Sequence, residues 1–266
     1  MRLATLLLVT GIVLGPQGLA VLTPAVIEAL RPAVAVALAV LGVTMVFGPA
    51  AYGGFWRTHL PSMLILAGAL SLALLHRDAV EATAVASQAA GIAILLAGAG
   101  WMLSSGRTGA DERHVFAIAV LLLLGGVADY LSVSALLLGW IAATAWRLMP
   151  AKGLADVRLD AAYVQHPTTA LLLITAGAQA QVSWQVTLIA AAGCAVALAA
   201  LLVLRRQRPL GVPSFGGVPL APATFAVALV MDAARLEPQL AIALSAVVLA
   251  VSAFDVMSNL ARENAA

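Results

Sequence analysis

Apolar residues come in long runs, broken by short charged stretches or by Pro and Gly. The runs cover 3–22, 32–51, 59–75, 80–103, 114–148, 167–181, 184–204, 215–234 and 238–260. About 20 apolar residues are needed for a helix to cross a bilayer. Lipid offers no partner for backbone N–H and C=O groups, so an isolated span must be helical. The pattern therefore predicts an all-α polytopic membrane protein of about nine or ten transmembrane helices. Trp56, Trp101 and Trp184 fall at run ends, where indole prefers the membrane interface. The most polar connector, "MPAKGLADVRLDAAYVQHP", covers 149–167. It divides a single membrane domain, 1–266, into an N-terminal helical repeat, 1–148, and a C-terminal one, 163–262. The opening "RLATLLLVTGIVLG" has the charge and apolar stretch of a signal sequence but no small-x-small cleavage site. It is read as a retained span.

Two runs are interrupted. "EATAVASQAAGIAILL" places Thr83, Ser87 and Gly91 at intervals of four, hence on one helix face, with Gln88 beside them. "VPSFGGVPLAPATFAVALV" holds Gly216, Gly217, Pro219 and Pro222, and proline breaks the helical hydrogen-bond ladder. One weak segment in each half of a membrane protein points to a transporter site. The alternative is that small polar residues merely pack helices and that Pro/Gly marks a loop.

Composition supports the membrane reading. Hydrophobic residues make up 63% of the chain and charged ones 10%, against roughly 45–50% and about 25% in soluble domains. The pI of 9.1 reports membrane orientation rather than nucleic-acid binding. One cysteine, Cys194, excludes an intrachain disulfide framework. No phosphate-binding loop, zinc motif or nucleophile elbow is present, so neither an enzyme nor a cofactor is expected.

Asp129 stands alone: no other Asp, Glu, Lys, Arg or His interrupts the chain from Val115 to Trp146. A carboxylate at mid-bilayer costs about 2.5–3.5 kcal/mol to insert and is a functional candidate by default. A group that H⁺ or Na⁺/K⁺ can neutralise in turn could exchange the two, with Thr83, Ser87 and Gln88 completing an oxygen shell. The competing reading is a structural Asp, hydrogen-bonded to Tyr130 or Ser132 near a turn. Asp232 and Arg235 lie at a span end, where they can pair.

Several segments resemble monovalent cation:proton antiporters of the sodium/hydrogen-exchanger type. "LLLVTGIVLGPQGLAVL" is similar to their early span, with its signature at Gly11, Gly15, Pro16 and Gly18. "ALRPAVAVALAVLGVTMVF" resembles the next span. "VLLLLGGVADYLSV" resembles the helix that carries two adjacent acids or Asn-Asp. "TTALLLITAGAQAQ" is similar to the short Phe-Phe-x-x-x-Gly helix, with Ile174 and Gly177 but no Phe pair. "VPSFGGVPLAPATFAVALV" resembles the second broken helix, and "VLAVSAFDVMSNLARE" the last span, with an acid at Asp255. The resemblance implies an inverted-repeat fold with broken helices in the cell membrane, exchange of a monovalent cation for a proton, and a possible homodimer. Runner-up functions are a degenerate, non-transporting structural or partner subunit, and a small organic anion carrier on the same scaffold.

The departures are informative. Family members are usually longer by well over a hundred residues. Ala128 takes the place of the first acid, and Cys194, after Gly193, that of the lysine of electrogenic members. Those two groups are thought to pair in the family. Losing one would strand a buried charge at a cost of roughly 3–5 kcal/mol, whereas losing both leaves a neutral gap. With a single titrating carboxylate, one proton would trade for one cation, and exchange is expected to be electroneutral.

Orientation turns on 114–148. A single crossing splits Lys and Arg nine to five. If the run crosses and returns, the inside holds all of them except Arg31, Arg77 and Arg235, which obeys the positive-inside tendency far better. Returning through a turn would make two short helices and push Asp129 toward the outer interface. A full span with a re-entrant return would keep it near the midplane.

Overall fold

The computed structural model describes residues 3–47, 79–104, 110–148, 154–181, 183–184, 186–187, 222–237 and 240–263. These are all-helical, as expected. The helices are α1 (Leu3–Leu14), α2 (Pro24–Ala29), α3 (Arg31–Phe47), α4 (Ala79–Ser104), α5 (Ala110–Tyr130), α6 (Ala135–Leu148), α7 (Leu154–Gln179), α8 (Pro222–Leu236) and α9 (Ala241–Glu263). Among the described residues no helix is long and apolar enough to cross a membrane. Several are short, and two have a polar end. Helices α1, α3, α6 and α8 have 12, 17, 14 and 15 residues, or roughly 18–26 Å at 1.5 Å per residue, against a core of about 30 Å. Helices α5 and α7 begin with the polar turns "ADERH" and "LADVRLD".

Two boundaries differ from the hydropathy pattern. The first helix stops at Leu14 rather than running to 22. Pro16 cannot donate and clashes with the preceding turn. The chain then folds back on the helix end: Leu19 N–H donates to Val13 O at 2.7 Å and Ala20 N–H to Gly15 O at 3.0 Å. The polar stretch 149–167 is not a connector throughout, because α7 starts at Leu154 and continues through Pro167. Just after the proline, Thr168 Oγ1 donates to Val164 O at 2.8 Å, a side-chain bond of the kind that accompanies helix bending.

Contacts divide the chain into two compact units, and the division does not follow the sequence halves. One unit comprises 1–27, 173–234 and 238–266; the other comprises 28–172 and 235–237. In the first, α1 crosses the C-terminal end of α7 at bare backbone. A Cβ on Gly11 would meet Ile174 O at 2.2 Å, and one on Gly177 would meet Leu8 O at 2.2 Å. Gly11 is thus used here for close approach of one helix backbone to another. In the same unit, Gln181 N–H donates to Ser245 Oγ on α9 at 2.9 Å.

In the second unit α3 is the central helix. From Val34 to Phe47 it is buried on every side except at Val36 and Met45, which are partly covered. Small residues let its neighbours approach: a Cβ on Gly139 of α6 would lie 2.1 Å from Ala39 O, and one on Gly42 would lie 2.2 Å from Leu136 O. The 114–148 run is a hairpin. Helix α5 ends in a Schellman-type reversal, with Val133 N–H on Ala128 O at 3.0 Å, Ser132 N–H on Asp129 O at 3.2 Å and Ser132 at φ 52°. The left-handed position is usually glycine. Ser134 then caps α6, its Oγ accepting from Leu137 N–H at 3.1 Å. Val120 and Trp146 both lie against Gly100, so the two arms run side by side in opposite directions.

Candidate functional site

The hairpin decides where Asp129 stands. It lies in the last turn of α5, beside the reversal at Ser132, rather than half-way along a continuous span. Carbonyl groups there carry the negative end of the helix dipole, an unfavourable setting for a carboxylate. Two arginines offset it. Arg31 Nε and Arg235 Nη2 each stand 3.2 Å from the same oxygen, Asp129 Oδ1. Arg31 opens α3, where a cation faces the positive end of its own dipole. It has a second carboxylate, Glu28 Oε1, 3.2 Å from Nη1. Arg235 sits in the last turn of α8, a favourable position for a cation. All four residues belong to the second unit.

Exposure falls steadily through the cluster. Side chains are 72% exposed at Glu28, 38% at Arg31, 20% at Asp129 and 8% at Arg235. Charges of such different burial carry very different energies. The Glu28–Arg31 pair is of the surface type, worth about 0–1 kcal/mol. The Arg235–Asp129 pair is of the buried type, in which removing one partner costs several kcal/mol.

The expected oxygen shell is not among the described contacts of Asp129. Ser87 and Gln88 are both exposed on α4, and the side chain of Thr83 lies outside the described residues. Gly216, Gly217, Pro219 and Cys194 also lie outside them. Ala128 is fully buried and contributes its carbonyl to the reversal. Tyr130 is 89% exposed, and of the two local partners considered for Asp129, Ser132 supplies only its backbone N–H, to the backbone carbonyl.

The arginines were the partners that the sequence reading passed over, and the signal was available. The returning-hairpin drawing leaves only Arg31, Arg77 and Arg235 on the outer side and pushes Asp129 to that same side. Two of those three cations are the ones found on it. Chemically, the arrangement favours a fixed ionic joint over an open cation site. A monovalent ion approaching Oδ1 meets two guanidinium charges, each opposing it by about 4 kcal/mol at 4 Å and an effective dielectric of 20.

Among the described residues no group of His, Cys, Asp and Glu is placed to hold a metal ion. Comparisons with protein-family models, with curated proteins and with solved structures return no match.

Proposed function

We propose that this chain is a membrane-embedded helical protein on an antiporter-like scaffold, acting as a structural or partner subunit rather than as an exchanger at Asp129. The observation that carries this is the double engagement of Asp129 Oδ1 by Arg31 and Arg235. Such a carboxylate holds helices together, and its described contacts are guanidinium groups rather than an oxygen shell. The membrane part of the reading rests on apolar faces that point away from the packed interior. Val115, Ile118 and Leu122 form such a stripe on α5, at 65%, 42% and 54% exposure. Leu6, Val9 and Val13 repeat it on α1, and Ile94, Leu95 and Met102 are exposed on α4. Exposed apolar faces of that kind call for a non-aqueous cover. Helices shorter than the hydrocarbon thickness are accommodated by local thinning of the bilayer.

A second reading, electroneutral cation:proton exchange at Asp129, is favoured by one feature. Arg31 is shared with the exposed Glu28 and is itself more than one-third exposed, so its release from Asp129 costs little. The discriminating experiment is collapse of a pH gradient in proteoliposomes on addition of Na⁺ or K⁺, for the wild type and Asp129→Asn. The subunit reading expects both to match protein-free vesicles. Cation-dependent collapse by the wild type, abolished in Asp129→Asn, would overturn it and establish exchange.

A further inference from the structure

The other end of α5 carries a charge pair of different chemistry. His114, in the second turn of α5, places Nδ1 2.9 Å from both Oδ1 and Oδ2 of Asp160 on α7. The contact joins residues 46 positions apart within the second unit. Asp160 is 15% exposed and His114 is 43% exposed. The imidazole is therefore open enough to exchange protons with the medium, while its partner is largely covered. Nδ1 lies equally close to both oxygens, the position in which a single N–H is shared by a carboxylate fork. A neutral ring holds this contact as a hydrogen bond; a protonated ring adds the attraction of opposite charges.

We propose that His114–Asp160 is a pH-sensitive tie between α5 and α7, tight when the imidazole is protonated and loosened as the pH rises. The pair is the counterpart of the Arg31–Asp129–Arg235 joint, whose guanidiniums keep their charge at every accessible pH. One end of α5 is thus held permanently, and the other on condition of a proton. The direction follows from charge: a carboxylate attracts a protonated imidazole more strongly than a neutral one, so the tie is strong in acid and weakens as the pH rises through the ordinary range of histidine, about pH 6.5. The described ionisable groups at this end are Glu112 on α5, Asp160 and the exposed Tyr163 on α7, and Arg147 in the last turn of α6. Asp160 stands at bonding distance.

The test is amide hydrogen exchange on the full chain in lipid nanodiscs at pH 5.5 and 7.5, corrected for the intrinsic pH dependence of exchange. Peptides covering 110–118 and 154–163 should lose protection by about two- to fivefold at the higher pH, the equivalent of a half-exposed ion pair. Peptides from α3 should not change. His114→Gln and Asp160→Asn should each remove the pH step, and His114→Lys should keep protection high at both values. A pH step that survives in Asp160→Asn would overturn the proposal. Should the variants fold poorly, the His114 ring of the wild type, followed by nuclear magnetic resonance, gives a second reading. A ring that stays unprotonated at pH 5.5 would equally overturn it.

Discussion

Helices α3 and α5 read alike as sequence and differ in the fold. Both are apolar over most of their length, "RPAVAVALAVLGVTMVF" and "HVFAIAVLLLLGGVADY". Yet α3 is enclosed by its neighbours, while α5 buries Ala117, Val120, Leu121 and Leu124 and turns Val115, Ile118, Leu122 and Leu123 outward. Residue size separates them. The α3 run is built of Ala, Val and Gly, which let other helices close to its backbone. The α5 run concentrates Leu, whose bulk holds neighbouring backbones further off. Where the surroundings are apolar on all sides, small residues mark the interior and large ones do not. Hydropathy alone cannot make that distinction.

The sharpest way to break the contrast is at the charge that couples the two helices. Asp129→Ala strands Arg235 in a buried setting and should cost about 3 kcal/mol of stability. Asp129→Asn should cost less, since an amide oxygen still accepts from a guanidinium. Chemical or thermal unfolding in detergent gives the comparison; an Ala variant as stable as the wild type would remove the joint from the account. Next in size is Gly139→Ala. Its methyl would press on Ala39 O, and an effect of about 1–3 kcal/mol is expected from overpacking. By contrast Gly126→Ala, where a Cβ meets nothing within 4 Å, should be neutral or slightly stabilising, because alanine is the better helix former.

Smaller effects sharpen the other side. Leu122→Ala, on the outward stripe of α5, should change stability by less than about 0.5 kcal/mol. A loss of several kcal/mol would mean that this face is packed against protein. Glu28→Gln should be the mildest, below about 1 kcal/mol and vanishing at high salt, since its pair with Arg31 is largely exposed.

Helix content was legible because apolar runs and the Pro/Gly punctuation act locally. The fourth run, 80–103, became α4 almost residue for residue. Helix ends were less legible where they depend on backbone reversal: Leu14 and Tyr130 both precede positive-φ residues that are not glycine, Ala20 and Ser132. Polar sequence misled at 154–166, because helix formers such as Leu154, Ala155, Leu159, Ala161 and Ala162 outweigh the charges set among them. The candidate site was half legible. Asp129 stood out by its isolation, but its arginines lie 98 positions before and 106 after it. Contacts at that range are set by how helices pack; locally Arg235 read as a span-end charge beside Asp232, and Arg31 only as a charge that orients the chain.

That separation along the chain also sets an order of assembly. A ribosome adds roughly 5–20 residues per second, so Arg31 is already present when Asp129 emerges, whereas Arg235 follows only about 5–20 s later. In that interval the carboxylate has one half-exposed partner, and the hairpin of α5 and α6 is held by its seam with α3. The deep guanidinium arrives last, as a latch closed by the C-terminal part of the chain. A nascent chain stopped before residue 222 therefore carries an Asp129 that is still open to other cations, including those offered by a neighbouring protein.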